Sequence, residues 1–167
     1  VLFRSGLEGV FTRPWVYIDV ERECSFYSKR LDLIKNTSTE IRTWLGFPFG
    51  PDAIAATAYI DYEKGSDWGA KLSYMFLVQG EMSGEKGFNV LNQPNYYPSN
   101  PEEANYTTPH GIPQYRHTMS FQGFYAPLDF LKLSTQISYT HIINFNNTKN
   151  NMLDGFECLL SASFYLP

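Results

Sequence analysis

Residues 53–82 read AIAATAYIDYEKGSDWGAKLSYMFLVQGEM. In the first half Ile54, Ala56, Ala58, Ile60 and Tyr62 alternate with Thr57, Tyr59, Asp61 and Glu63. After Gly65-Ser66, the set Trp68, Ala70, Leu72, Tyr74, Phe76, Val78 and Met82 alternates with Asp67, Lys71, Ser73, Gln79 and Glu81. A period of two belongs to a strand and not to a helix. The intervening turn is short, so the two runs are expected to pair as a hairpin.

The same pattern continues downstream. Tyr115, Met119, Phe121, Gly123 and Tyr125 oppose Arg116, Thr118, Ser120 and Gln122. Beyond a turn at Pro127-Leu128-Asp129, the stripe Leu131, Leu133, Ile137, Tyr139, Ile143 and Phe145 opposes Lys132, Ser134, Gln136, Ser138 and Asn144. An Asn-rich loop leads to Phe156, Cys158, Leu160, Ala162, Phe164 and Leu166, set against Glu157, Ser161, Ser163 and Tyr165. Upstream the alternation is weaker and predicts strands near Val10–Arg22 and Thr39–Leu45.

Composition narrows the function classes. The 167 residues carry a net charge of −4, 17% aromatic and 18% charged residues. So many aromatics argue against disorder, and an acidic chain without a Lys/Arg cluster argues against a nucleic-acid partner. No apolar run approaches the roughly 18 residues of a spanning helix. Cys24 and Cys158 stand apart, so neither a disulfide framework nor a cysteine metal site is expected, and no cofactor is implied.

Strand length then points to a particular all-β architecture. Soluble strands peak at about 5–6 residues, whereas these alternate over roughly twelve to sixteen, enough to climb about 35–40 Å when tilted. Short connections (Gly65-Ser66, Pro127–Asp129) alternate with long ones (83–113, 146–153), as in a barrel with periplasmic turns and external loops. Tyr62, Trp68, Tyr125 and Phe164 would form one aromatic girdle, and Tyr115, Phe145 and Phe156 the other. Asp61, Glu63, Asp67, Lys71, Glu81, Arg116, Lys132 and Glu157 would face a wet lumen. The expected fold is therefore all-β: an antiparallel meander of about seven long strands, the C-terminal part of a transmembrane outer-membrane β-barrel with its C-terminus in the periplasm. Leu2-Phe3-Arg4-Ser5 reads like a sequencing adapter in frame, so residues 1–5 are taken as an artefact and 6–167 as one incomplete domain.

Candidate sites are few. His141 and His117 lie on the apolar stripe with no Ser two residues from the former and no acid adjacent to the latter, so no enzymatic activity is expected. The long loop 84–113 carries Asn95, Tyr96, Tyr97, Tyr106 and His110, where amides and tyrosine faces suit a polysaccharide. A proline-stiffened plug or lid is the competing reading of this loop. The sequons at Asn36, Asn105 and Asn146 reflect loops rich in Asn and Thr.

Several short runs carry a family likeness. Leu45-Gly46-Phe47-Pro48-Phe49-Gly50-Pro51-Asp52-Ala53 entering a strand, the hairpin closing on Val78-Gln79-Gly80-Glu81, and Thr108–His117 entering another strand resemble capsule-assembly proteins of the Wzi type. Arg13-Pro14-Trp15-Val16-Tyr17 is similar to that family's Pro-aromatic loop, and the likeness spans most of residues 10–167. The resemblance implies a large monomeric outer-membrane barrel without enzymatic activity. Such a barrel helps to retain capsular polysaccharide, with outer-membrane lipid and the barrel-assembly machinery (through the C-terminal strand) as further partners. The alternative is a porin or substrate channel constricted by loop 84–113.

Overall fold

Alternation over residues 53–79 and 114–164 requires extended chain, and the computed structural model places strands there. It describes residues 1–14, 27–34, 37–44, 48–83 and 107–165. The strands are β1 (Leu2–Thr12), β2 (Tyr27–Ile34), β3 (Thr37–Trp44), β4 (Ala53–Lys64), β5 (Trp68–Gln79), β6 (Gln114–Leu128), β7 (Leu131–Ile143) and β8 (Met152–Phe164). Six of them form one antiparallel sheet in the order β1-β4-β5-β6-β7-β8, and β2 and β3 pair as a separate hairpin.

The register sorts the side chains into rows that cross the whole sheet. One row joins Leu7, Ala58, Tyr74, Met119, Tyr139 and Phe156; the next joins Ser5, Ile60, Leu72, Phe121, Ile137 and Cys158. These rows belong to the apolar face, as the alternation predicts. On the opposite face, Arg4, Asp61, Lys71, Gln122, Gln136 and Leu159 line up. Cross-strand neighbours on one face stand about 4.5–5.5 Å apart, so each row is a continuous ladder of contact.

Burial is concentrated at one end. Ala53, Ala55 and Leu77 form a small buried cluster against Val10 and Phe49, and Ile142 is also buried. Burying a leucine such as Leu77 stabilises by about 1.5–3 kcal/mol. Ala53, Ala55, Leu77 and Ile142 share the face of Arg4, Asp61 and Lys71, whereas the apolar face is open: Leu72, Tyr74, Phe121, Tyr139 and Phe156 all count among the exposed large side chains.

The open sheet overturns the barrel expectation. β1 and β8 are its two edges, with four strands between them, and they do not pair with each other. A barrel exists only when its edge strands pair, so this is neither a closed transmembrane barrel nor a Wzi-type one. Alternation reports which side chains share a face; it carries no information on whether distant edges meet. The outer-membrane location, the periplasmic C-terminus, the lipid and assembly-machinery partners, the capsular-polysaccharide role and the porin alternative all belonged to the barrel reading and are not supported by this open sheet. Neither is the monomeric state deduced from that family. The aromatic groups assigned to girdles are instead neighbours within a sheet face: Tyr62 meets Trp68 with ring centroids 4.8 Å apart, and Phe76 stacks on Tyr115 at 6.4 Å.

Smaller corrections concern the upstream third. The first strand is Leu2–Thr12, and its residues 2–5 pair with Ile60–Glu63 of β4; it begins well before the strand expected near Val10–Arg22, of which residues 15–22 lie outside the described residues. Phe3, Leu7 and Phe11 do alternate there, but Leu2 and Val10 on the other parity blur the pattern. β3 matches the strand expected near Thr39–Leu45, whereas β2 was not anticipated.

Candidate functional site

Three places gather polar or unpartnered groups. The first is the capped end of the sheet, where the chain enters β4. Asp52 adopts φ 56°, a left-handed conformation that aspartate tolerates better than most residues, and it is fully buried. Its carboxylate accepts the backbone N–H of His110 (3.0 Å to Oδ1) and that of Met82 (3.3 Å to Oδ2). One side chain therefore ties the 3₁₀ turn Glu81–Ser83 to the segment entering β6. Gly80 permits this: a Cβ there would stand 1.8 Å from Asp52 Oδ2 and 2.6 Å from the His110 nitrogen. Burial pushes the Asp52 carboxyl up to about 6, against the opposing effect of the donated hydrogen bonds.

Amide side chains complete this cap. Gln114 Nε2 donates to Gln79 Oε1 at 3.0 Å, and Gln79 Nε2 donates to the Phe49 carbonyl at 3.2 Å. Asn147 Nδ2 donates to the carbonyls of Gln79 and Ile112, and Asn144 Nδ2 to that of Pro113. The asparagines that made loop 146–153 look like an ordinary surface loop therefore satisfy backbone groups of neighbouring segments.

His110 belongs to the cap. Besides its N–H, its carbonyl accepts from Glu81 N at 3.0 Å. Asn95, Tyr96, Tyr97 and Tyr106 lie outside the described residues, so the proposed grouping of these five is not brought together here.

The second place is a titratable row on the apolar face. His117 stands directly opposite His141, and His141 opposite Asp154. His117 Nδ1 is hydrogen-bonded to the Tyr74 hydroxyl at 2.7 Å, and His141 Nδ1 to Asp154 Oδ1 at 2.7 Å. Tyr139 donates to the same Asp154 oxygen. The bonds from Tyr139 and then His141 hold the Asp154 carboxyl below the usual carboxylate range, and the Tyr139 phenol is raised in turn. Asp154 was missed in the sequence because it lies thirteen positions after His141, on a strand of its own. The hairpin register, Ile143 opposite Met152, is what places it there. Among the described residues no group of three or more His, Cys, Asp or Glu is arranged to hold a metal.

On the opposite face, several charges expected in a lumen find partners within the sheet. Arg4 Nη2 contacts Asp61 at 2.7 Å and Glu63 at 2.8 Å, and Lys132 lies over the Phe124 ring at 4.3 Å. Arg116, in a row between Leu77 and Ile142, is held below its usual range by burial.

The third place is the β8 edge. All thirteen of its residues are exposed. The Tyr165 N–H donates to the Phe130 carbonyl at 2.9 Å, continuing the register of Leu131 opposite Phe164. In an antiparallel pair, hydrogen-bonded and non-hydrogen-bonded residues alternate. The odd-numbered residues of β8 therefore bond to β7, and the even-numbered ones, Met152 through Phe164, direct their N–H and C=O groups outward. No Pro, Lys or bulge interrupts this edge, although such devices normally protect one.

No known protein family, no curated protein and no solved structure matches the chain.

Proposed function

We propose that the protein is a non-enzymatic β-sheet binding module that takes an additional extended strand along the free edge of β8. The observation that carries this reading is the open edge: among the described residues no strand pairs with the outer side of β8, whose alternate residues aim paired donors and acceptors away from the sheet. Strand addition satisfies such groups, and side chains at alternate positions then select the partner. The exposed apolar face supports the same reading, because large contiguous apolar surface marks interaction sites. The partner strand is expected to carry apolar residues at every second position, so that they continue the rows ending at Phe156 and Cys158.

The test is binding of a synthetic peptide of alternating valine and threonine, as long as β8, measured by fluorescence anisotropy on dilute full-length protein. Saturable binding that is lost in Ala162→Pro supports the proposal, since Ala162 directs its N–H outward and proline has none to offer. Absence of binding, or binding indifferent to Ala162→Pro, overturns it.

A further inference from the structure

We infer that the strand received at this edge is β8 of a second copy, in an isologous antiparallel pair whose two-fold axis passes through Cys158. The inference rests on the edge-pairing reading and names its partner. Its basis is the self-complementarity of Met152–Phe164, of which Cys158 is the central residue.

An antiparallel pair centred there sets Met152 against Phe164 of the second copy, Asp154 against Ala162, Phe156 against Leu160, and Cys158 against Cys158. All of these belong to the even-numbered set, so the outward N–H and C=O groups of both strands meet as hydrogen-bonded pairs. On the other parity, Leu153 meets Ser163, Gly155 meets Ser161 and Glu157 meets Leu159. Both acidic residues of the strand thus face uncharged partners, which matters because like charges directly opposite destabilise a sheet. Moving the axis by one residue to Glu157 opposes that carboxylate to itself and leaves one end of each strand unpaired.

The side chains that gain most are the most open: Phe156 is 69% exposed, Leu160 73% and Phe164 69%. They join as cross-strand aromatic–aliphatic pairs on the apolar face. The apolar rows of each copy then run uninterrupted into those of the other. A two-fold pairing also closes after two copies, which is the commonest symmetry among soluble oligomers, and leaves β1 at both outer edges.

Cys158 is free and exposed, and it reports the register without being needed for the association. Opposed residues in a hydrogen-bonded antiparallel pair have Cα atoms about 5.5 Å apart, inside the range of about 4.4–6.8 Å that a disulfide spans. The experiment uses the full chain in a Cys24→Ser background, so that Cys158 is the single thiol. Sedimentation velocity over a concentration series is combined with copper–phenanthroline cross-linking. The expected result is a concentration-dependent dimer that cross-links through Cys158. Moving the thiol, as Leu160→Cys in a Cys158→Ser chain, should cut cross-linking roughly tenfold or more, because the two thiols then lie four residues out of step. Ala162→Pro should weaken the dimer by more than about tenfold, removing two outward hydrogen bonds across the interface.

A monomer that still binds the valine–threonine peptide overturns the second-copy assignment and leaves the edge reading standing. A monomer that binds no peptide overturns both. A dimer that cross-links between Cys158 and a thiol introduced by Ser5→Cys on β1, but not between two Cys158 residues, overturns the isologous pairing in favour of a head-to-tail one.

Discussion

The capped end of the sheet and the β8 edge treat the same chemical groups in opposite ways. At the cap, backbone donors of Met82, His110 and Ala53 are met by the side chains of Asp52 and Thr12. At β8, alternate N–H and C=O groups face outward along the whole strand. Neither arrangement follows from hydrophobicity. The cap is built from a buried carboxylate and four amides, while the edge is flanked by phenylalanine and leucine. Satisfaction of the backbone, more than burial of side chains, therefore divides the part of the molecule that is finished from the part that awaits a partner.

One substitution made at two glycines breaks or upholds this contrast, and the first of them has the largest expected effect. Gly80→Ala forces a methyl group into Asp52 and the His110 backbone. It should destabilise the fold by about 3 kcal/mol or more, read by urea unfolding. Second comes a pair of prolines at adjacent positions of β8. Ser163→Pro removes an N–H directed at β7 and should cost roughly 2 kcal/mol, whereas Ala162→Pro removes an outward one and should leave folding of the isolated chain nearly unchanged. Equal losses at both positions would show that the edge parity is misassigned.

Third is the pH dependence of the cap. The Asp52 carboxyl sits at about 6 in the folded chain against an ordinary value of 3.8, so the folded state binds its proton more tightly than the unfolded one. The resulting stabilisation is complete below about pH 4 and lost as pH rises through about 6, a change of roughly 2–3 kcal/mol. Asp52→Asn, which resembles the protonated acid and tolerates the left-handed backbone, should flatten the difference between melting temperatures at pH 4.5 and pH 7.5. An unchanged slope would remove Asp52 from the account. The smallest effect has the opposite sign. Gly155 of β8 has open space where a Cβ would go, and Gly155→Ala should stabilise by about 0.5 kcal/mol by reducing backbone freedom in the unfolded chain.

How far the sequence carried depended on whether a feature is periodic. The hairpin β4–β5 spans the residues that alternation assigned to it, and the segregation of Asp61, Lys71 and Gln122 from Ile60, Leu72 and Phe121 holds across the sheet. Pro127 and Leu128 lie inside β6, past a register shift between Tyr125 and Leu128, because an irregular edge accommodates proline that a regular ladder would exclude. Closure was misjudged for a different reason. Strand length and loop alternation are properties of neighbouring strands, whereas the curl of a sheet into a barrel wall is a property of all its strands together that no local pattern encodes. The candidate site was the least legible part. In the sequence Asp52 is only the residue before a strand; aspartate is seldom buried, and only the three-dimensional approach of Gly80 and His110 explains its position. The His141–Asp154 pair needed the register of a hairpin whose loop is irregular, with left-handed residues at Asn144, Asn146, Asn147 and Asn150.

Ser83 and Thr107 are far apart in sequence, yet the described residues beside them are clasped directly: Glu81 N–H to the His110 carbonyl, and Ile112 N–H to Glu81 Oε1. Bringing distant points of a chain together costs entropy that rises by about 0.6 kcal/mol for each doubling of the separation. Bonds placed where the chain enters β6 offset that cost at the very point where it arises.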